Sequence, residues 1–341
     1  MTTEEIDGAQ TGGRSVTSSS LEGDGVYMEW SVIFIGVVGV AGNALILYAL
    51  VASKQHKKHA LIVNQNALDL FSSFFLVVTY AVQLCNIDLA GVFGYWLCVT
   101  ILSENLTMWG TNGSMINLAV ITIDRYLKVV HPIWSRKWLR SWVIYAAIAF
   151  SWLAGIVYNT VLVLYTAVVE DGLCHSYVIY EDDAANMASV VSYIFFFYFI
   201  ILAIFIFCYG RILVAIRRQA RIMASHSAAG SSTAQTQSQQ IQTNVIKTMI
   251  IVSAFYAVTW LPYNVYVLLA TAMLVPFYGS GYYATTFIAY VYTSTNPFIY
   301  ATKFNPVRQV LKKMIPCNKI AVQPTGGTGG GLPGTSGTRA K

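Results

Sequence analysis

Four long stretches of this chain carry no charge between their bounding residues: Glu29 to Lys54, Arg140 to Glu170, Asp183 to Arg211 and Lys247 to Lys303. A helix crossing the ~30 Å hydrocarbon core of a bilayer needs roughly 20 apolar residues. The first three stretches fit one crossing each, and the fourth fits two, divided at Pro276, Gly279 and Gly281. Two further apolar segments, near Leu61–Leu84 and Tyr95–Val129, hold isolated charges. The expectation is an all-α membrane protein, a seven-transmembrane helix bundle. Composition agrees: 11% of residues are charged, against about 25% in a soluble domain. The apolar runs do not alternate with polar residues, which excludes a membrane β-barrel pattern.

Charge sets the orientation. The loops after spans one, three and five carry Lys54, Lys57 and Lys58, then Arg136, Lys137 and Arg140, then Arg217, Arg218 and Arg221. The opposite side holds one basic residue, Arg14, and most of the acids, among them Asp88, Glu170, Asp171, Asp182 and Asp183. The positive-inside rule gives an extracellular N terminus and a cytoplasmic C terminus at the plasma membrane. Residues 1–29 lack a basic segment ahead of a short apolar core, so the first span is expected to act as its own signal anchor. That segment and residues 318–341 are low in complexity and expected to be disordered, leaving 30–317 as the membrane domain.

Cys98 and Cys174 both face the oxidising outer side, which allows a disulfide between them, against the alternative of two free thiols. Cys317 follows a basic amphipathic segment and suits lipidation; a plain free cysteine is the other reading. The five histidines fall in loops, so neither an intramembrane metal site nor a nucleophile–base pair is indicated, and an enzyme is not expected. Nucleic acid is not an expected partner, whereas membrane lipid is.

Polar residues at membrane depth are costly and are functional candidates. Asp69 lies two turns into span two, with Asn43, Ser114 and Asn296 as candidate partners in a cluster able to hold water or Na⁺. Glu104 lies near the outer end of span three, one turn above Thr107; a counter-charge for a cationic ligand and a solvated rim residue are both open readings. Asp124-Arg125-Tyr126 closes span three at the cytoplasmic face, where an acid beside an arginine can hold the guanidinium until a partner displaces it. Thr259-Trp260-Leu261-Pro262 and Asn296-Pro297-Phe298-Ile299-Tyr300 place proline hinges in spans six and seven.

Taken together, these residues resemble the rhodopsin-like (class A) G-protein-coupled receptors over roughly Trp30 to Cys317. The resemblance rests on Gly42-Asn43, Leu68-Asp69, Ser114, Leu118, Asp124-Arg125-Tyr126, Val129, Pro132, Ile133, Trp152, Tyr209, Trp260, Pro262, Asn296, Pro297 and Tyr300 in order on successive spans. It implies that Trp260 senses ligand and that Asp69, Ser114 and Asn296 line a sodium and water site. Tyr209 and Tyr300 would move toward Arg125 as span six swings outward. Arg125 and Ile133 would engage a heterotrimeric G protein, with arrestin and a receptor kinase as further partners. An amphipathic eighth helix is expected at about 304–315.

The chain also departs from the family pattern. Cys98 lies 27 residues before Arg125, two more than is usual, so span three is expected to hold a bulge or to begin differently. Ile201 stands where span five usually has proline, Thr259 and Tyr256 replace a common cysteine and phenylalanine, and Gln242 replaces an acid that locks Arg125 in some relatives. The amine-receptor aspartate is absent: its position is Thr107, or Asn105 counted from Cys98. Span seven has no lysine for a retinal Schiff base, and Tyr290 lies near that site. The acidic outer surface favours a peptide ligand; a small neutral molecule of the melatonin type is the alternative. A seven-helix transporter is a remote alternative.

Overall fold

The computed structural model describes residues 17–177, 182–226, 233–276 and 279–314. Seven long helical units follow one another: α1 (Thr17–Ala52), α2 (Ala60–Leu84), α4 (Asn105–Val130), α6 (Ser141–Thr166), the composite α7 (Asp183–Ile194) and α8 (Ile200–His226), α9 (Thr233–Thr271) and α10 (Ser280–Lys303). Short elements join them: α3 (Gly91–Leu97) before α4, α5 (Pro132–Trp138) after it, and α11 (Asn305–Met314) at the end of α10. The only strands among the described residues, β1 (Val168–Glu170) and β2 (Leu173–His175), form an antiparallel hairpin.

Helix α1 packs on α2 and α10, α2 on α4, α4 on α6 and α8, and α9 on α10. The exposed surface is lined by Phe34, Val37, Phe74, Phe150, Val157, Phe199, Ile206 and Val258, while Asn43, Asn64, Gln65, Asp69, Ser114 and Asn296 are buried. This apolar-out, polar-in arrangement is that of a protein whose solvent is lipid. Five of the long units are apolar enough to cross a membrane by length and composition. The other two, α4 and α10, carry polar residues on their buried faces, Thr107, Thr111, Asn112, Ser114 and Asn117 on α4 and Thr286, Thr293, Ser294 and Asn296 on α10. Their lower hydropathy follows from their place at the centre of the bundle.

Two departures from the sequence reading stand out, at α1 and in the fifth unit, and between them span three shows the interruption that its spacing predicted. Helix α1 starts at Thr17, within the 1–29 segment expected to be disordered; a helix nucleated by the apolar span extends at little cost per added residue. Span three is interrupted, with a π-helical turn at Cys98–Leu102 and a break at Ser103–Glu104. A second π-helical turn, Phe195–Phe199, joins α7 to α8 just before Ile201, so the fifth unit is locally widened without a proline. Phe304, at the junction before the eighth helix α11, and Val307 in its first turn are buried, while Arg308 is exposed. Cys317 lies outside the described residues.

Candidate functional site

At the C-terminal end of α4, Asp124 is buried and receives two cations: Arg125 Nε at 3.4 Å and Lys128 Nζ at 2.8 Å. Lys128, one turn on, was missed in the sequence although the i,i+4 spacing announces it. Tyr126 donates to or accepts from His131 Nε2 at 3.2 Å, which ties the triplet to the start of α5. Pro132 opens α5 at its first turn, and Ile133 projects into the open, 88% exposed beside exposed Trp134 and Trp138. Tyr209 Oη bonds Thr122 Oγ1 (2.9 Å) and Ser253 Oγ (3.0 Å), linking α8 to α4 and α9. Tyr300 is fully buried, and its hydroxyl has no partner among the described residues. Neither tyrosine bonds Arg125 in this conformation, and the side chain of Gln242 lies outside the described set.

His59, just before α2, faces the same region. Burial, and then the positive charge of Arg125, push its imidazole down to about 4, and it meets Phe304 edge-on at 5.1 Å.

Mid-bundle, the Asp69 carboxylate accepts from Ser114 Oγ (2.5 Å) and Asn296 Nδ2 (2.7 Å), with Gln65 Nε2 at 3.5 Å. Gln65 also donates to Ser114 and accepts from Asn117 Nδ2 at 2.8 Å. Asn64 donates to Asn117 Oδ1 (2.9 Å) and accepts from Trp152 Nε1 (2.9 Å), so the network runs from α10 through α2 and α4 to α6. Gln65 and Asn117 were missed in the sequence because nothing marks which polar residue of a helix faces inward until the neighbours are placed. The carboxylate has no ion pair with any basic residue among those described, and Asn296 Oδ1 is buried without a partner. The carboxylate, the Ser114 hydroxyl and the unpartnered Asn296 Oδ1 are oxygens of the kind that a small hard cation takes, while both amides turn N–H toward the acid in this conformation.

Asn43 does not join that set. Its Nδ2 donates to Gly39 O (2.9 Å) and Thr293 O (3.1 Å). Thr293 lies four residues before Pro297, whose ring nitrogen cannot donate to it. A Cβ on Gly42 would stand 2.9 Å from the Pro297 ring, so glycine there admits the close approach that brings Asn43 to Thr293. On α9, Trp260 is buried edge-on to Tyr263 at 5.7 Å, its Nε1 without a partner among the described residues. Pro262 sits inside the same helix, two residues on.

At the opposite end of the bundle, Cys98 and Cys174 form a disulfide that ties the hairpin to span three. Glu104 caps α4 with φ 56°, a left-handed conformation costing a non-glycine residue about 1–2 kcal/mol. Its carboxylate is half-buried and accepts from Tyr80 Oη at 2.9 Å and from Tyr290 Oη. The solvated-rim reading of Glu104 is therefore corrected: the break turns the side chain inward onto two phenols. Thr107, one turn below, is fully buried.

Residues 42–300 match the family described as "7 transmembrane receptor (rhodopsin family)". Among curated proteins, the chain is 27% identical over 92% of its length to Melanopsin-A of Gadus morhua, of which it covers 57%. It is 25% identical over 83% of its length to somatostatin receptor type 5 of Bos taurus, covering 74% of that protein. It is 26% identical over 80% to the tachykinin-like peptides receptor 99D of Drosophila melanogaster, covering 54%. The chain thus spans about half to three-fifths of the length of the melanopsins it matches. Squid rhodopsin superposes with a TM-score of 0.69 at 19% identity, over 85% of each chain, a likeness of fold.

Proposed function

The chain belongs to the rhodopsin family of seven-transmembrane receptors, a multi-pass membrane receptor and not an enzyme, and from that premise we propose that it binds an extracellular peptide and activates a heterotrimeric G protein. The observation that carries the coupling half is the inner end of α4. Arg125 is held by one neighbouring acid that it shares with Lys128, so its restraint is local and displaceable. Exposed Ile133, Trp134 and Trp138 beside it offer an apolar contact for Gα. Outward motion of α9 about Pro262 would break the Tyr209–Ser253 bond and free Tyr209 to turn toward Arg125. Arrestin and a receptor kinase would use the same face, and α11 would lie against inner-leaflet lipid with Cys317 as a lipidation site. The N terminus would be extracellular and the membrane the plasma membrane.

A peptide ligand is supported by receptors for somatostatin and tachykinin-like peptides among the relatives, and by the acids Glu170, Asp171, Asp182 and Asp183 at the outer mouth. A small neutral ligand of the melatonin type is the second reading, favoured by the β1–β2 hairpin that the disulfide ties to the start of span three. Tyr290 lies near the position at which retinal-binding members carry lysine. Asp69, Ser114 and Asn296 would hold Na⁺, which supplies the positive charge this buried acid otherwise lacks. Agonist-stimulated GTPγS exchange that disappears in Arg125→Ala at unchanged surface expression tests the function. Retained exchange would sink it.

A further inference from the structure

Resting on that receptor reading, we infer that the outer end of the bundle holds a cation-recognition site. Glu104, caged by tyrosines, takes a single positively charged nitrogen of the ligand, an ammonium or guanidinium.

The site is built by the feature in which this chain departs from its family. The π-helical turn at Cys98–Leu102 and the break at Ser103–Glu104 take up the two additional residues between Cys98 and Arg125. The break sends Glu104 inward, where Tyr80 and Tyr290 donate to its two different oxygens. Those rings stand edge-to-face at 6.4 Å. Tyr263 and Tyr177, the latter just beyond the disulfide-tethered hairpin, lie within electrostatic reach of the carboxylate.

Phenols are neutral. Their two hydrogen bonds solvate the carboxylate and leave its charge in place, and no lysine, arginine or histidine pairs with it among the described residues. A partly desolvated anion in that state is completed by a cation. The surroundings suit one: tyrosine faces attract positive charge, and a hydroxyl that donates to Glu104 keeps lone pairs to accept a ligand N–H. Thr107 Oγ1 and Thr286 Oγ1 are buried without partners among the described residues. Thr286 lies one turn before Tyr290 on the same helix face, and Thr107 lies three residues after Glu104 in the first turn of α4, both as further acceptors. A neutral ligand would leave the carboxylate unmatched, and an anion would be repelled.

The test uses the purified full-length receptor in detergent. Binding is followed as a shift of the unfolding midpoint with phenethylammonium, benzyltrimethylammonium and the neutral phenethyl alcohol. Short peptides with a free or an acetylated N terminus form a second arm. The cations are expected to stabilise the wild type, the alcohol is not, and apparent affinity for the cations falls roughly 10-fold or more in Glu104→Gln. Glu104→Asp retains the preference for cations, and Tyr290→Phe weakens it, so a folding defect in one variant does not decide the matter. Charge-dependent binding of the small amines assigns the site to a small ligand. Glu104-dependent binding confined to free-amine peptides assigns the same site to a peptide terminus. Equal binding of the alcohol, equal cation binding in Glu104→Gln, or no binding by either arm overturns the inference. Nucleotide exchange on a purified G protein, measured in parallel without any probe, reports separately on the receptor reading.

Discussion

Asn43 on α1 donates its side-chain amide, at 3.1 Å, to the carbonyl of Thr293 on α10, the oxygen that Pro297 deprives of its helical donor. The bond explains two sequence features at once. The Gly42-Asn43 pair supplies, first, the space for the proline ring and, second, the donor its helix lacks. A proline hinge inside a membrane needs its freed carbonyl satisfied by a neighbour, and here the neighbour is one specific side chain.

Asn43→Leu is expected to destabilise the receptor by about 1–3 kcal/mol, the cost of a buried acceptor left unmet. Gly42→Ala, which must push the Pro297 ring away, is expected to do the same. Thermal unfolding in detergent reads both. Wild-type midpoints in both variants would remove the hinge-capping role.

Asp124→Asn removes the acid that holds both Arg125 and Lys128. Basal GTPγS exchange should rise several-fold, on the order of 1 kcal/mol in the inactive–active balance. Lys128→Ala leaves Arg125 the sole cation on Asp124 and should lower it. An unchanged basal rate in Asp124→Asn would show that the ion pair does not restrain the receptor.

His59 gives a pH signature. Its folded pKa is lowered to about 4 from 6.5 in the unfolded chain, so the unfolded state binds the additional proton. The stability it contributes is present above pH 6.5 and is lost as pH falls toward 4. His59→Gln should flatten the fall in unfolding midpoint across that window. An unaltered slope would show that another group sets it.

Removing the Cys98–Cys174 bridge, which closes a loop with a sequence separation of 76, should cost about 2–5 kcal/mol. Cys174→Ser and mild reduction of the wild type should agree in midpoint and in lost ligand response. Full response after verified reduction would show that the hairpin holds its place without the bond.

Asp69→Asn is expected to abolish any effect of Na⁺ on agonist affinity. Gln65→Leu, which removes the competing amide donor, should enlarge that effect. Titrating NaCl against an osmotically matched N-methylglucamine salt distinguishes the ion from ionic strength; identical curves in all three proteins would eliminate the site.

The sequence by itself determined the spans, because uncharged runs of membrane length have one stable arrangement in lipid, and loop charge gave the expectation for their direction. It also located Asp124-Arg125-Tyr126, Trp260 and the two prolines, since each is tied to its own helix. Facing could not be read from it. Asn43 was expected beside Asp69 and instead serves Thr293, while Gln65, absent from the expected set, joins Asp69, Ser114 and Asn117. Lys128 came to share Asp124, and Glu104 turned from an undecided outer acid into a tyrosine-held carboxylate. Each depends on the rotation of one helix against another and on where the backbone of span three breaks. Only packing sets these, because a helix alone presents every side chain to its surroundings and the neighbours decide which ones meet.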